Sequence, residues 1–247
     1  MALRIACDLD GTVADMNAAL QREAAVCFGP NVDLRAGLGV PAEPPSDIDG
    51  APAVEESAVD PKPAKREVLS VRRGLTSREY RQLWGHVRKD VDNFWATLSE
   101  IEPGAVARLS ALAQKYGWEV IFLTQRPASA GETAQLQSQR WLEAHGFEFP
   151  SVYVVNGSRG RIAASLDLDA VIDDRPENCL DVSSESQAKA FLVWRDAPDT
   201  APPGAAKMKI TTVFSFTEAL DKLDALSGAR AASSPGLLGR IRQTLGI

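Results

Sequence analysis

The chain has 247 residues, 45% of them hydrophobic and 24% charged, a composition ordinary for a globular protein. Its net charge of −6 argues against nucleic acid as an obligate partner, while leaving a small anionic substrate open. Three scattered cysteines, Cys7, Cys27 and Cys179, lack metal-type spacing and suit a reducing cytoplasm; with no leader and no apolar run of ~18 residues, neither export nor a membrane span is expected.

In chain order, the apolar residues Leu3, Ile5 and Ala6 predict a short buried strand that ends in Asp8-Leu9-Asp10-Gly11-Thr12. Asp15 then caps a helix carrying Ala19, Leu20, Ala24, Val26 and Phe28, stopped by Gly29-Pro30. From 41 to 63 the chain is rich in Pro, Ala and acids with almost no large apolar residue, so it reads as a long mobile loop. Thr76-Ser77-Arg78-Glu79 is a capping box that opens a helix with Tyr80, Leu83, Trp84, Val87 and Val91 on one face. Pro103 begins another amphipathic helix, through Val106, Leu109, Leu112, Ala113 and Tyr116, ended by Gly117.

A repeating strand–helix pattern follows: a strand at 118–124, a helix at 132–145, a strand at 152–155, a short helix at 161–166, and strands at 170–173, 190–194 and 211–214. Ser215-Phe216-Thr217-Glu218 is a second capping box, opening a helix with Ala219, Leu220, Leu223 and Leu226. The alternation predicts an α/β fold: a Rossmann-like, mainly parallel sheet with helices on both faces. The division is a core of residues 1–15 and 99–226, an insertion at 16–98, and a tail at 227–247. That tail holds a basic amphipathic stretch (Leu237, Leu238, Ile241 and Leu245 with Arg240 and Arg242), either a frayed end or a docking helix.

The chemistry gathers at strand ends, where open α/β sheets carry their sites. Asp8 and Asp10 are two apart on an extended backbone, so both carboxylates can face one site. Crowded like charges call for a cation or a proton, and Mg²⁺ with oxygen ligands is the usual remedy; a bare Asp-Gly turn is the plain alternative. Thr124, after the second strand, offers a hydroxyl and backbone N–H for a phosphate oxygen. Asp173 and Asp174, adjacent acids after an apolar strand, again ask for a cation, with a helix cap or surface turn as the plain alternative. Asn156-Gly157-Ser158-Arg159-Gly160-Arg161 is a basic site before a short helix.

The order Asp8-Leu9-Asp10-Gly11-Thr12 after a strand resembles the nucleophile motif of the haloacid-dehalogenase-like phosphatases, and the resemblance covers the whole core. Within that superfamily, three stretches look like the 5′(3′)-deoxyribonucleotidase branch: Phe94-Trp95 with Ile101-Glu102-Pro103-Gly104, Leu123-Thr124-Gln125-Arg126-Pro127, and Ile172-Asp173-Asp174-Arg175-Pro176-Glu177-Asn178. That branch removes phosphate from nucleoside monophosphates and carries a small helical cap where this chain has its insertion. The resemblance implies a Mg²⁺-dependent phosphomonoester hydrolase acting on a small phosphorylated metabolite such as a (deoxy)nucleoside monophosphate. Asp8 would be the nucleophile, forming an aspartyl-phosphate, and Asp10 the general acid and then base. Mg²⁺ would be held by Asp8, the Asp10 carbonyl and Asp174, with Asp173 as second ligand or through water. Thr124 and Arg159 would offset the developing charge, with Phe94, Trp95, Gln125, Arg126 and Arg161 on the substrate side. The family normally has a Lys where this chain offers Arg; the Arg159-Gly160 pair aligns best, with Arg161 as the alternative. Phe94 and Trp95 either stack on a base or pack cap against core. The competing reading is a non-catalytic phosphate- or nucleotide-binding module on the same fold.

Overall fold

The computed structural model describes residues 2–34 and 73–233. The Pro-rich stretch at 41–63 and the basic segment of the tail lie outside the described residues. Six strands, β1 (Arg4–Asp8), β2 (Glu119–Thr124), β3 (Ser151–Val154), β4 (Ala170–Asp173), β5 (Lys189–Val193) and β6 (Thr211–Val213), form one all-parallel sheet in the order β3-β2-β1-β4-β5-β6. The chain winds outward from β1 to β3, then crosses back to β4. The carboxyl ends of β1 and β4 therefore flank the point where the strand order reverses, and such a point leaves a crevice for a ligand.

Seven α-helices accompany the strands among the described residues: α1 (Met16–Phe28), α2 (Ser77–Lys89), α3 (Ala105–Tyr116), α4 (Ala134–Ala144), α5 (Arg159–Ser165), α6 (Pro176–Glu185) and α7 (Phe216–Ser233). The alternation of β1 explains the layering. Ile5 and Cys7 point into a cluster with Leu20, Trp84, Val106, Leu109, Trp141 and Leu220, from α1, α2, α3, α4 and α7. Ala6 points the other way, into a smaller cluster with Ala163, Cys179 and Val182, from α5 and α6. A strand covered on both faces must be apolar throughout, which is why Ile5, Ala6 and Cys7 are fully buried. α1 and α2, the described helices of the insertion, thus belong to the same apolar cluster as the sheet.

Helix ends follow local chemistry. The Asp15 carboxylate accepts from the Ala18 N–H at the start of α1, and Thr76 and Glu79 close a reciprocal capping box on α2. Several expectations shift. Val26, counted among the apolar residues of α1, is 73% exposed. The short helix expected at 161–166 begins two residues earlier, because the Ser158 hydroxyl caps it by accepting from the Arg161 N–H. α6, absent from the expected pattern, starts at Pro176, where a missing N–H costs nothing. α7 runs on to Ser233 instead of ending near 226, and Ser227 is buried there, accepting from the Trp118 indole N–H at 3.0 Å. Its second capping box is offset: Ser215 accepts from the Glu218 N–H, but the Glu218 carboxylate accepts from the Phe214 N–H. No helix among the described residues is long and apolar enough to cross a membrane.

Candidate active site

The site grows from the turn that follows β1. Leu9 is fully buried and its carbonyl accepts from the N–H groups of Val13 and Ala14, folding the turn back on itself. Gly11 has φ +86°, and a Cβ there would collide with the Asp174 carboxylate. Only glycine therefore lets the turn lie this close to the end of β4. The result is a cleft partly open to solvent. Asp8, Asp10, Gly11, Met16, Asn17, Trp95, Gln125, Arg159, Asp174, Arg175 and Asn178 line it.

Asp8, Asp173 and Asp174 bring one carboxylate oxygen each to within 4.8 Å of one another. Asp8 and Asp173 are almost wholly buried, at 7% and 0% exposure. Burial, and after it the charges of Asp173 and Asp174, push the Asp8 carboxyl well above the usual carboxylate range. Asp174 is pushed up to about 7, by burial first and by the Asp173 charge second. Burial also raises Asp173, although the Arg175 N–H, the Arg159 charge and the Asn178 amide oppose it.

Two guanidiniums bear on this acidic cluster: Arg159, and Arg175, which lines the cleft and whose charge works to lower Asp173 and Asp174. Arg159, 3% exposed, sits in the first turn of α5 with an Nη 3.4 Å from Asp8 Oδ1 and its Nε 3.7 Å from Asp173 Oδ2. Both contacts are long, and Nε has no hydrogen-bond partner. Gly160 explains how Arg159 reaches so deep, since any Cβ at that position would strike the Asp181 carbonyl and lift α5 off α6. Arg161 instead points outward, its side chain 82% exposed, and pairs with Glu185 at 3.6 Å.

Three carboxylates crowded this closely call for a cation, and an all-oxygen donor set suits Mg²⁺. The turn adds a further donor. Among the described residues every carbonyl from Leu9 to Ala14 accepts a hydrogen bond except that of Asp10. The residues present therefore fit such an ion.

Asp10 is held differently from Asp8. Arg126 grips it with a fork, Nε to Oδ2 at 2.9 Å and Nη to Oδ1 at 2.7 Å, and the Thr124 hydroxyl donates to Oδ2 at 3.1 Å. The other Arg126 Nη donates to Ser138 at 2.8 Å, and the guanidinium lies 5.0 Å from the Trp95 ring centre. Two expectations change here. Thr124 is fully buried and serves Asp10 instead of a phosphate oxygen. Arg126, 3% exposed, is a support for Asp10 and does not line the cleft.

Phe94 also does not line the cleft; it is fully buried, edge-on to Trp95 at 4.9 Å, so no face is open for a base. Trp95 reaches the wall but is 1% exposed, its indole N–H donating to the Pro127 carbonyl at 2.9 Å. Gln125 does line the cleft. Met16 and Asn17, at the start of α1, and Asn178, on the first turn of α6, are wall residues that no motif singled out for this role. Helix starts abutting strand ends were the available signal.

No protein-family model matches the chain, and no curated protein matches it as a relative.

Proposed function

We propose that the chain is a Mg²⁺-dependent phosphomonoesterase acting on a small phosphorylated metabolite, with a (deoxy)nucleoside monophosphate as the leading candidate. The observation that carries this reading is the pairing of a buried acidic cluster, Asp8, Asp173 and Asp174, with the partly unsatisfied guanidinium of Arg159 at one end of the cleft. The resemblance of Asp8-Leu9-Asp10-Gly11-Thr12 and of Ile172-Asp173-Asp174-Arg175-Pro176 to phosphatase motifs points the same way.

Asp8, the Asp10 carbonyl and Asp174 would hold Mg²⁺, with Asp173 behind them. Mg²⁺ would supply Lewis-acid neutralisation of phosphoryl charge and keep Asp8 ionised. The Asp8 carboxylate oxygen attacks phosphorus as the bond to the leaving oxygen breaks, giving an aspartyl-phosphate. Arg159 lies beside Asp8, where its long contacts leave donors for the equatorial oxygens of the group in transfer. Asp10 gives a proton to the leaving oxygen and then takes one from the attacking water, which hydrolyses the acyl phosphate and frees Asp8. Three donors converge on the two Asp10 oxygens. This arrangement suits an accepting carboxylate, so proton donation requires one of these contacts to open.

Hydrolysis of p-nitrophenyl phosphate, assayed with Mg²⁺ and again after chelation, tests the reading. Metal-dependent turnover supports it. Phosphate binding without turnover would instead mark the cleft as a non-catalytic anion site.

A further inference from the structure

Arg195 belongs to no motif of the sequence, yet it connects three parts of the molecule. It lies two residues beyond β5, in a segment held by the Trp194 N–H donating to the Val213 carbonyl at 2.8 Å. Its Nε donates to the Gly11 carbonyl at 3.0 Å and one Nη to the Thr12 carbonyl at 2.7 Å. The other Nη meets Glu102 Oε1 at 2.8 Å. Glu102 in turn accepts from the Phe216 N–H at 2.7 Å and the Thr217 N–H at 2.9 Å, at the start of α7.

The remaining accepting carbonyls of the turn are satisfied by backbone. Leu9 accepts from Val13 and Ala14, Val13 from Ile101, and Ala14 from Gly11 and Met16. Gly11 and Thr12 alone depend on a side chain, and that side chain is Arg195. Gly11 is also the residue at which any Cβ would strike the Asp174 carboxylate, and the Thr12 hydroxyl lies 3.4 Å from Asp174 Oδ1. A planar guanidinium fixes two acceptors at once, so it sets the orientation of the peptides after Asp10. It also turns the Gly11 and Thr12 carbonyls toward itself, leaving the Asp10 carbonyl as the unpartnered acceptor of the turn.

We propose that Arg195, oriented by Glu102, is a positioning residue for the cation site, acting through the backbone of the Gly11–Thr12 turn. This rests on the reading of Asp8, the Asp10 carbonyl and Asp174 as metal ligands. Supports one shell away from a metal typically contribute about 10–100-fold to its affinity.

The test is direct binding of Mn²⁺, as an oxygen-seeking substitute for Mg²⁺, to the full chain by calorimetry, with thermal unfolding run in parallel. Arg195→Met should raise the Mn²⁺ dissociation constant about 10-fold or more without a matching loss of melting temperature. Arg195→Lys should fall between Arg195→Met and the parent, since an ammonium reaches one carbonyl without forking both. Asp174→Asn should abolish tight binding. If Arg195→Met binds Mn²⁺ as the parent does while Asp174→Asn does not, the positioning role is overturned and the cation site stands. If the parent binds no better than Asp174→Asn, the cation site fails and the proposal falls with it. Should Arg195→Met not fold, Arg195→Lys decides: parent-like affinity overturns the proposal, and weakened affinity at an unchanged melting temperature supports it.

Discussion

Replacing Arg159 by Ala removes the guanidinium nearest Asp8. At 3.4 Å from Asp8 and an effective dielectric of about 20, the attraction between the two charges is about 5 kcal/mol. Part of this is already present before reaction; the part that matters for rate is the gain as phosphoryl charge builds beside the same cation. Loss of one preorganised donor at such a position costs about 3–4 kcal/mol, so kcat should fall about 10²–10³-fold. Arg161→Ala removes only an exposed pair with Glu185, worth about 0–1 kcal/mol, and should leave kcat near the parent value. Arg159→Lys should keep much of the rate if charge dominates and little if the planar fork is needed. The assay is steady-state hydrolysis of p-nitrophenyl phosphate at saturating Mg²⁺, with circular dichroism to confirm that each variant folds. A larger loss from Arg161→Ala than from Arg159→Ala, or no loss from either, would refute the role given to Arg159.

Arg126→Lys should lower kcat about 10–100-fold with little change in KM, because one ammonium cannot hold both Asp10 oxygens and Ser138; unchanged kinetics would show that the fork is dispensable. Trp95→Ala or Phe94→Ala should cost about 3–5 kcal/mol of stability in denaturant titrations, as for other buried aromatics. A rise in KM confined to nucleotides, with stability intact, would restore the stacking role. Glu102 gives a pH-dependent stability. Burial works against its carboxylate, but hydrogen bonds from Thr217 and Phe216 and the Arg195 contact outweigh it and hold the pKa below the usual range. A depressed folded-state pKa contributes stability that is present above the unfolded value, about 4.3, and lost as pH falls toward the folded one. The stability gap between the parent and Glu102→Gln should therefore be constant near neutrality and shrink below about pH 4.3; a gap that widens there would contradict the network.

The sheet and its polar strand ends were legible because their signals are local. β1 is apolar up to Asp8, β4 up to Asp173, and Gly11 announces a turn that no side chain can follow. The preference for Arg159 over Arg161 comes from the resemblance to a Lys-Gly pair, and of the two it is Arg159 that reaches the acidic cluster while Arg161 points outward. What sequence could not supply was which neighbour a side chain would meet across more than 100 residues. Thr124 and Arg126 stand at the expected strand end, yet both turn to Asp10, 114 and 116 residues away. Phe94 and Trp95 carry the same composition whether they stack on a base or pack cap against core, and only the contacts show Trp95 set against Phe94, Trp84 and Arg126. Arg195 was invisible because its partners are backbone carbonyls, which carry no residue type to read.

The central claim is that Asp8 becomes covalently phosphorylated during turnover. Acid-quenching the full chain with Mg²⁺ and a phosphomonoester, then mapping the phosphoryl group by peptide mass spectrometry, tests it most directly. The label should appear on the peptide containing Asp8, should require Mg²⁺, and should vanish in Asp8→Asn. Mg²⁺-dependent turnover with no label on that peptide, or undiminished turnover in Asp8→Asn, would contradict the mechanism.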